Sequence, residues 1–165
     1  MIKIGLMSDT HGTIIPQVSD FFKDVDEIWH AGDIGGLDTA DALAAFKPLK
    51  AVHGNIDDYR TRLTYPEDLI FEIEDVKVYM THIGGYPGHY YSEVRSILEK
   101  ERPDIFISGH SHILKVMYDD KMKLLHLNPG AAGKTGFHKK ITMMRFTIDG
   151  KKIDNLEIFE ADRNL

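Results

Sequence analysis

The sequence predicts an α/β protein in which two β-sheets pack face to face with helices outside. Three observations carry this. The first third of the chain alternates apolar runs with helical periodicity in a βαβαβ order, which implies parallel pairing and right-handed crossovers. The later part reads as three hairpins, turned at Glu74-Asp75, Asp119-Asp120 and Asp149-Gly150, the last a strong turn signal. So many strands with only three clear helices overfill one open sheet, whereas two stacked sheets bury every apolar face.

Taken in order, residues 2–7 form an apolar strand. Ile15, Val18, Phe21, Phe22 and Val25 fall on one helical face, with Pro16 suited to the first turn. Residues 27–31 (EIWHA) give a second strand. Asp38 or Thr39 is the expected cap of a short helix carrying Leu43, Ala44 and Phe46, closed by Lys47-Pro48. Residues 49–53 give the third strand, and 69–73 with 76–80 the first hairpin. Tyr90, Val94, Ile97, Leu98 and Glu101 set up a helix that stops before Pro103. Residues 105–108 form a buried strand, followed by hairpins over 113–118 with 122–127 and 141–148 with 153–159.

The 165 residues suit one domain spanning 1–165, with no repeat, low-complexity tract or linker to divide them. A net charge of −6 argues against non-specific binding of nucleic acid, yet leaves an anionic substrate open, because a local site can oppose the global sign. No apolar run approaches the length of a membrane span. The opening MIKIGLMSD lacks the features of a signal peptide, so the expected location is cytoplasmic. Absence of cysteine excludes disulfides and thiolate metal sites.

The polar residues just past the strands are chemically coherent. Asp9 and His11 (SDTHG) follow the first strand, Asp33 (HAGDIGG) the second and Asn55 (HGNID) the third. His82 (THIGG) follows the strand ending near 80, and His110 and His112 (SGHSH) follow residues 105–108. In layered α/β folds, sites collect at the carboxyl ends of strands. Imidazole, carboxylate and amide oxygen without thiolate favour divalent manganese, iron, zinc or nickel. Seven donors exceed one tetrahedral site and suit two ions sharing a carboxylate. Glycine precedes Asp33, Asn55 and His110, and is expected there for its backbone freedom, which turns the strand toward the metals. A lone strand-end Asp is usually a cap and a lone His usually a packed residue. Order and placement lift the set above that reading, since successive motifs stand about one strand plus one connection apart.

The ordered motifs DxH, GD, GN, H and GHxH resemble those of the calcineurin-like metallophosphoesterases. Chain length and the ending NPGAAG are similar to the small bacterial and archaeal phosphodiesterase branch, the YfcE-like proteins. The resemblance runs from Met1 through at least Gly133. It implies a four-layer α/β/β/α sandwich, two mixed sheets flanked by helices, around two divalent ions, with manganese expected first and iron, nickel or zinc as alternatives. Asp9, His11 and His112 would hold one ion and Asn55, His82 and His110 the other, with Asp33 bridging; Asp33, Asn55 and His82 would act in catalysis. The implied reaction is hydrolysis of a small or nucleotide-like phosphate ester, a diester before a monoester, by a hydroxide between the metals. The chain departs from many relatives in having Ile56 where a histidine follows GN, and Ile83-Gly84 where HGH is common. Ile56 cannot donate a proton to a leaving group.

Asp57 and His30 are expected to support ligands from behind, and His53 to sit in its strand in a packing or supporting role. His89 lies in an aromatic glycine-rich loop that either covers the site or stays at the surface, and His126 belongs to a strand. Lys134, His138, Lys139 and Lys140 form a basic cluster that reads as a solvated loop before a phosphate contact. Tyr86, Tyr90 and Tyr91 read as exposed, serving as a lid or an interface of a homo-oligomer. Two other functions remain in view: a partner-binding module on the same fold, as in the retromer scaffold subunit, and a nuclease, disfavoured by the acidic balance.

Overall fold

The computed structural model describes residues 1–164. Its elements in chain order are β1 (Ile2–Met7), α1 (Gln17–Phe21), β2 (Glu27–His30), α2 (Leu37–Phe46), β3 (Leu49–Ala51), α3 (Tyr59–Thr64) and β4 (Asp68–Ile73). They continue with β5 (Val76–Thr81), α4 (Ser92–Glu101), β6 (Ile105–Ile107), β7 (Lys115–Asp119), β8 (Leu124–Asn128), β9 (Lys140–Asp149) and β10 (Lys152–Asp162). One sheet has the order β10-β9-β1-β2-β3 and the other β4-β5-β6-β8-β7. The βαβαβ segment pairs in parallel, β1 with β2 and β2 with β3. The three hairpins pair antiparallel. Both sheets are therefore mixed.

Alternation along the strands sorts side chains into layers. Ile4 and Leu6 of β1 meet Val78, Met80, Ile105 and Ile107 of the opposite sheet. Trp29 links the sheets: its ring stands edge-on to Phe71 at 5.0 Å and to Phe146 at 5.9 Å. Its indole N–H donates to Glu27 at 2.7 Å, so burial leaves no polar group unpaired there. On the outer face of the first sheet, Val18, Phe22 and Leu43 pack against Met7, Ile28 and Met143. On the outer face of the second, Val94 and Leu98 of α4 pack against Tyr79 and Phe106. The result is the α/β/β/α sandwich. No helix among the described residues is long and apolar enough to cross a membrane.

Several expectations need correction. α1 is only a short turn of helix: the predicted face survives through Val25, but Val25 is buried in the turn beyond it. α2 begins from Gly36 without a side-chain cap, and Asp38 lies inside its first turn, where its charge suits the helix dipole. Of its three predicted core residues only Leu43 is buried; Thr39 and Ala40 join it, while Ala44 and Phe46 are exposed. β3 ends at Ala51, leaving His53 beyond it. A fourth helix, α3, was not expected. Asp58 caps it by accepting from the Thr61 N–H at 3.0 Å, but Tyr59 and Leu63 are exposed and only Thr61 is buried, so no amphipathic pattern marks it. Tyr90 is partly buried, with its hydroxyl donating to Asp119 at 2.7 Å.

His126 of β8 is fully buried, and burial depresses its pKa to about 4. The folded state excludes a proton that the unfolded chain accepts below its ordinary value of 6.5. Its contribution therefore lowers stability as pH falls from 6.5 toward 4, reaching about 2–3 kcal/mol. Urea unfolding of the wild type and His126→Phe across this range should show a flatter pH dependence in the variant.

Candidate metal centre

The loops leaving β1, β2, β3, β5 and β6 gather at one edge of the sandwich. Ligand atoms of Asp9, His11 and His112 lie within 4.8 Å of one another, and so do those of Asp33, His82 and His110. The two triplets adjoin. Asp33 Oδ2 lies 3.4 Å from His11 Nε2 and 3.2 Å from His82 Nε2, one imidazole from each triplet. Asp9 Oδ1 lies 3.2 Å from His112 Nε2 and 3.7 Å from both His11 and His82. Asn55 is exposed at the rim, in a cavity of about 220 Å3 that it shares with His53, Arg62, Glu67 and His82.

Five of these residues adopt left-handed backbone conformations: Asp9 (φ 55), His11 (φ 48), Asp33 (φ 56), His110 (φ 69) and His112 (φ 62). Each costs about 1 kcal/mol or more for a residue with a side chain. The preceding glycines do a different job from the one expected at two positions. Gly54 and Gly109 are absent from the residues with positive φ, so freedom of rotation is not their role. A Cβ on Gly54 would lie 2.1 Å from Asp33 Oδ1, and one on Gly109 2.3 Å from Ser8 Oγ. They are needed because the loops pass so close together.

Hydrogen bonds behind the donors decide which atoms face inward. Asp9 Oδ2 accepts from the Ser8 hydroxyl at 2.6 Å and the His110 N–H at 3.2 Å, leaving Oδ1 free. Asp33 Oδ1 accepts from the Ile56 N–H at 3.0 Å, leaving Oδ2. His82 Nδ1 donates to the Ala31 carbonyl at 2.7 Å, so Nε2 keeps its lone pair in the neutral ring. His138 Nε2 donates to the Gly133 carbonyl at 2.8 Å, which makes its Nδ1 an acceptor. That nitrogen lies 3.1 Å from His112 Nδ1, which must donate, so His112 Nε2 also presents a lone pair. His138 is thus buried and orients His112, contrary to the solvated loop expected of it. A histidine in a loop of glycines and lysines gives little sign of this in sequence.

Asp57 and His30 tie the loops together. The Asp57 carboxylate accepts from the N–H groups of Ile34, Gly35 and Gly54 at 3.1, 2.8 and 2.8 Å. His30 Nδ1 accepts from the Gly32 N–H, and its Nε2 donates to Thr10, whose hydroxyl donates to the Ile34 carbonyl. That relay needs a neutral ring, and burial supplies it by lowering the His30 pKa to about 4. His53 Nδ1 donates to the Tyr65 carbonyl at 2.8 Å, and His89 packs on Tyr86.

The electrostatics favour a cation. Asp9 Oδ1, His11 Nε2 and His82 Nε2 are buried without a hydrogen-bond partner. Burial opposes the charge on Asp9, yet His11, His112, His82 and Ser8 hold its carboxyl well below the usual carboxylate range. Burial likewise opposes charge on His82, but Asp33 and Asp9 raise its pKa. Filling the gaps with protons would crowd imidazolium rings together: His82 and His110 are 5.2 Å apart, and His11 and His112 5.5 Å. Burial and the nearby His82 already lower the pKa of His110. Divalent cations meet the converging lone pairs without that repulsion, so the donor set fits metal ions.

Fold and donors together define an α/β sandwich whose strand ends gather a donor set that fits metal ions. Residues 2–151 match the model of the calcineurin-like phosphoesterase superfamily domain, and the chain belongs to that superfamily. A protein of Methanothermobacter thermautotrophicus named a probable metallophosphoesterase is 35% identical over 156 residues, covering 92% of this chain and 88% of its own. The structure described as a novel archaeal phosphodiesterase superposes with a TM-score of 0.73 at 24% identity, covering 96% of this chain and 100% of that one. Entamoeba histolytica Vps29 complexed with Zn2+ gives 0.73 at 20% identity, covering 99% and 100%. Membership makes the protein a metallophosphoesterase by family and implies divalent metal ions.

Removing the brace behind His112 should loosen metal binding without touching a donor. His138→Phe is expected to weaken affinity for manganese or zinc by about 10–100-fold. His138→Gln, whose amide oxygen can accept from His112 Nδ1, should recover part of the loss. Chelator competition on the folded proteins measures both.

Proposed function

We propose that the protein is a phosphodiesterase working with two divalent ions. Asp9, His11 and His112 would hold one ion and Asn55, His82 and His110 the other. Asp33 would be shared through Oδ2, the oxygen near an imidazole of each triplet. That position of Asp33 between the triplets carries the reading. When bound, the ions supply Lewis acidity: they activate water and neutralise charge on the phosphate. Manganese is the first expectation, with iron, nickel or zinc as alternatives; the zinc reported with Entamoeba Vps29 keeps that metal in view.

The protein's own groups support a diester over a monoester. Among the described residues lining the two cavities beside the centre, the Lys and Arg side chains are Arg62 and Lys115. Arg62 donates to the carbonyls of Asp57, Gly54 and Asn55. Lys115 sits 3.7 Å above the Tyr86 ring. Arg62 thus has two of its three guanidinium nitrogens committed to carbonyls, and few cations line these cavities to clamp the second charge of a monoester. The likeness to an archaeal phosphodiesterase points the same way. Ile56 contributes its backbone N–H to Asp33, while its exposed side chain has no proton to give. Expulsion therefore depends on the leaving group's own stability.

Hydrolysis of bis(p-nitrophenyl) phosphate with added manganese tests the proposal. Asp33→Asn and His110→Ala should each lower kcat/KM by about 100-fold or more, since the first removes the charge shared between the ions and the second removes a donor. Absence of turnover by metal-loaded wild type would refute the enzyme reading and leave a partner-binding module on this fold. Rates should fall steeply as the leaving group becomes more basic. Ile56→His should raise kcat/KM for poor leaving groups by about tenfold or more.

A further inference from the structure

A second cavity, of about 140 Å3, opens beside His110 and is walled mostly by apolar surface from Ile83, Tyr86, Tyr91 and Ile113. Since His110 belongs to the metal cluster as well as to this wall, a phosphate held by the ions would have one of its ester arms next to the opening. The polar part of the wall is one-sided. Lys115 and Ser111 contribute to it, whereas among the described residues no Asp or Glu lines it. A chain of net charge −6 has acids to spare, yet this cation is given none.

Both side chains hold donors that the protein does not use. The lysines that meet a carboxylate among the described residues are Lys50, Lys77, Lys140 and Lys152. Lys115 is not one of them: its Nζ lies over the Tyr86 ring, 3.7 Å from the centroid. A ring face attracts an ammonium without cancelling its charge. Ser111 Oγ accepts from the Ile113 N–H and from the Asn128 amide, each at 3.1 Å. Those bonds occupy both lone pairs, so the hydroxyl proton points elsewhere, and it has no acceptor among the described residues. Ser111 is exposed and Lys115 half-buried, so an incoming group can reach each of them. Asn128 lines the same wall but is spent: its amide donates to Gly109 and Ser111, and its oxygen accepts from the Gly130 N–H.

We propose that this cavity receives one arm of the phosphate ester, and that the arm ends in a second anionic group, a carboxylate or a phosphate, paired with Lys115 and accepting from Ser111. Charge sets the choice: an unpaired ammonium and an undirected hydroxyl, with no acid beside them, suit an oxyanion and offer a cationic arm nothing. The apolar walls add to the pairing, because an arm seated between them expels water and leaves the attraction less screened. This anion is distinct from any second charge on the phosphorus held by the ions, since Lys115 and Ser111 stand outside both donor triplets. The inference rests on the phosphoesterase reading, because the ester supplies the arm.

Its test is binding, separate from turnover. Propyl-, butyl- and pentylphosphonate are titrated calorimetrically into manganese- or zinc-loaded protein, beside the same arms ending in an amide, a carboxylate or a second phosphonate. At one arm length an anionic end should bind about tenfold more tightly than the amide, and whether the carboxylate or the phosphonate gains more separates the two sources. The gain should vanish in Lys115→Gln and return in part in Lys115→Arg. It should survive in Lys151→Gln, which removes a charge at the exposed turn between β9 and β10. The amide arms should bind Lys115→Gln as they bind the wild type, which shows the cavity intact. No anionic gain in the wild type, a gain that persists in Lys115→Gln, or binding of none of the phosphonates would overturn the inference. Hydrolysis of bis(p-nitrophenyl) phosphate without an anionic gain removes the cavity's role and leaves the enzyme reading. A gain that depends on Lys115 without hydrolysis does the reverse.

Discussion

Two carboxylate oxygens and several imidazole nitrogens converge in a space that buries them, and everything at this edge of the sandwich follows from that confrontation. Such an arrangement repels itself unless a cation sits inside it. Five of the donors also hold backbone conformations that L-residues avoid. Unsupported, loops carrying these costs would relax. The frame that prevents this is built from hydrogen bonds one layer back.

That layer works by assigning protons. Each buried histidine near the centre has one nitrogen committed to a partner whose role is fixed. Ala31 fixes His82, Gly133 fixes His138, and His138 then fixes His112. The relay from Gly32 through His30 and Thr10 to Ile34 uses the same logic to lock two loops to each other. Asp57 does the equivalent with one carboxylate and three backbone N–H groups. The orientation of the donors thus rests on carbonyls and N–H groups as much as on the donor side chains themselves.

Much of this was legible in the sequence, because strands announce themselves as apolar runs and their ends as glycine and polar clusters. The hairpins at Glu74-Asp75 and Asp149-Gly150 stand where the turn residues put them. Donor types at strand ends suggested which residues meet, since a strand's end has few places to go in a layered fold. Legibility failed where the physics is non-local. His138 acts on a ring 26 positions away, and nothing in its neighbourhood records that. Gly54 and Gly109 were correctly marked as special, but for the wrong cause: what demands them is a neighbouring loop rather than their own torsion. α3 escaped because most of its side chains face solvent, so periodicity had little to report.

The pairing of β1 with β9 has a consequence for the biosynthesis of this protein. β1, which delivers Asp9 and His11, lies between β2 and β9, and the Asp9 carbonyl accepts from the Gly133 N–H. During synthesis β1 therefore waits unpaired along one side until a segment more than a hundred residues later has emerged. Contacts closed over such separations form late and slowly. Assembly of the donor cluster is in consequence one of the last events in the molecule's folding, and a nascent chain stalled before β9 would carry all seven candidate donors and yet no finished cluster.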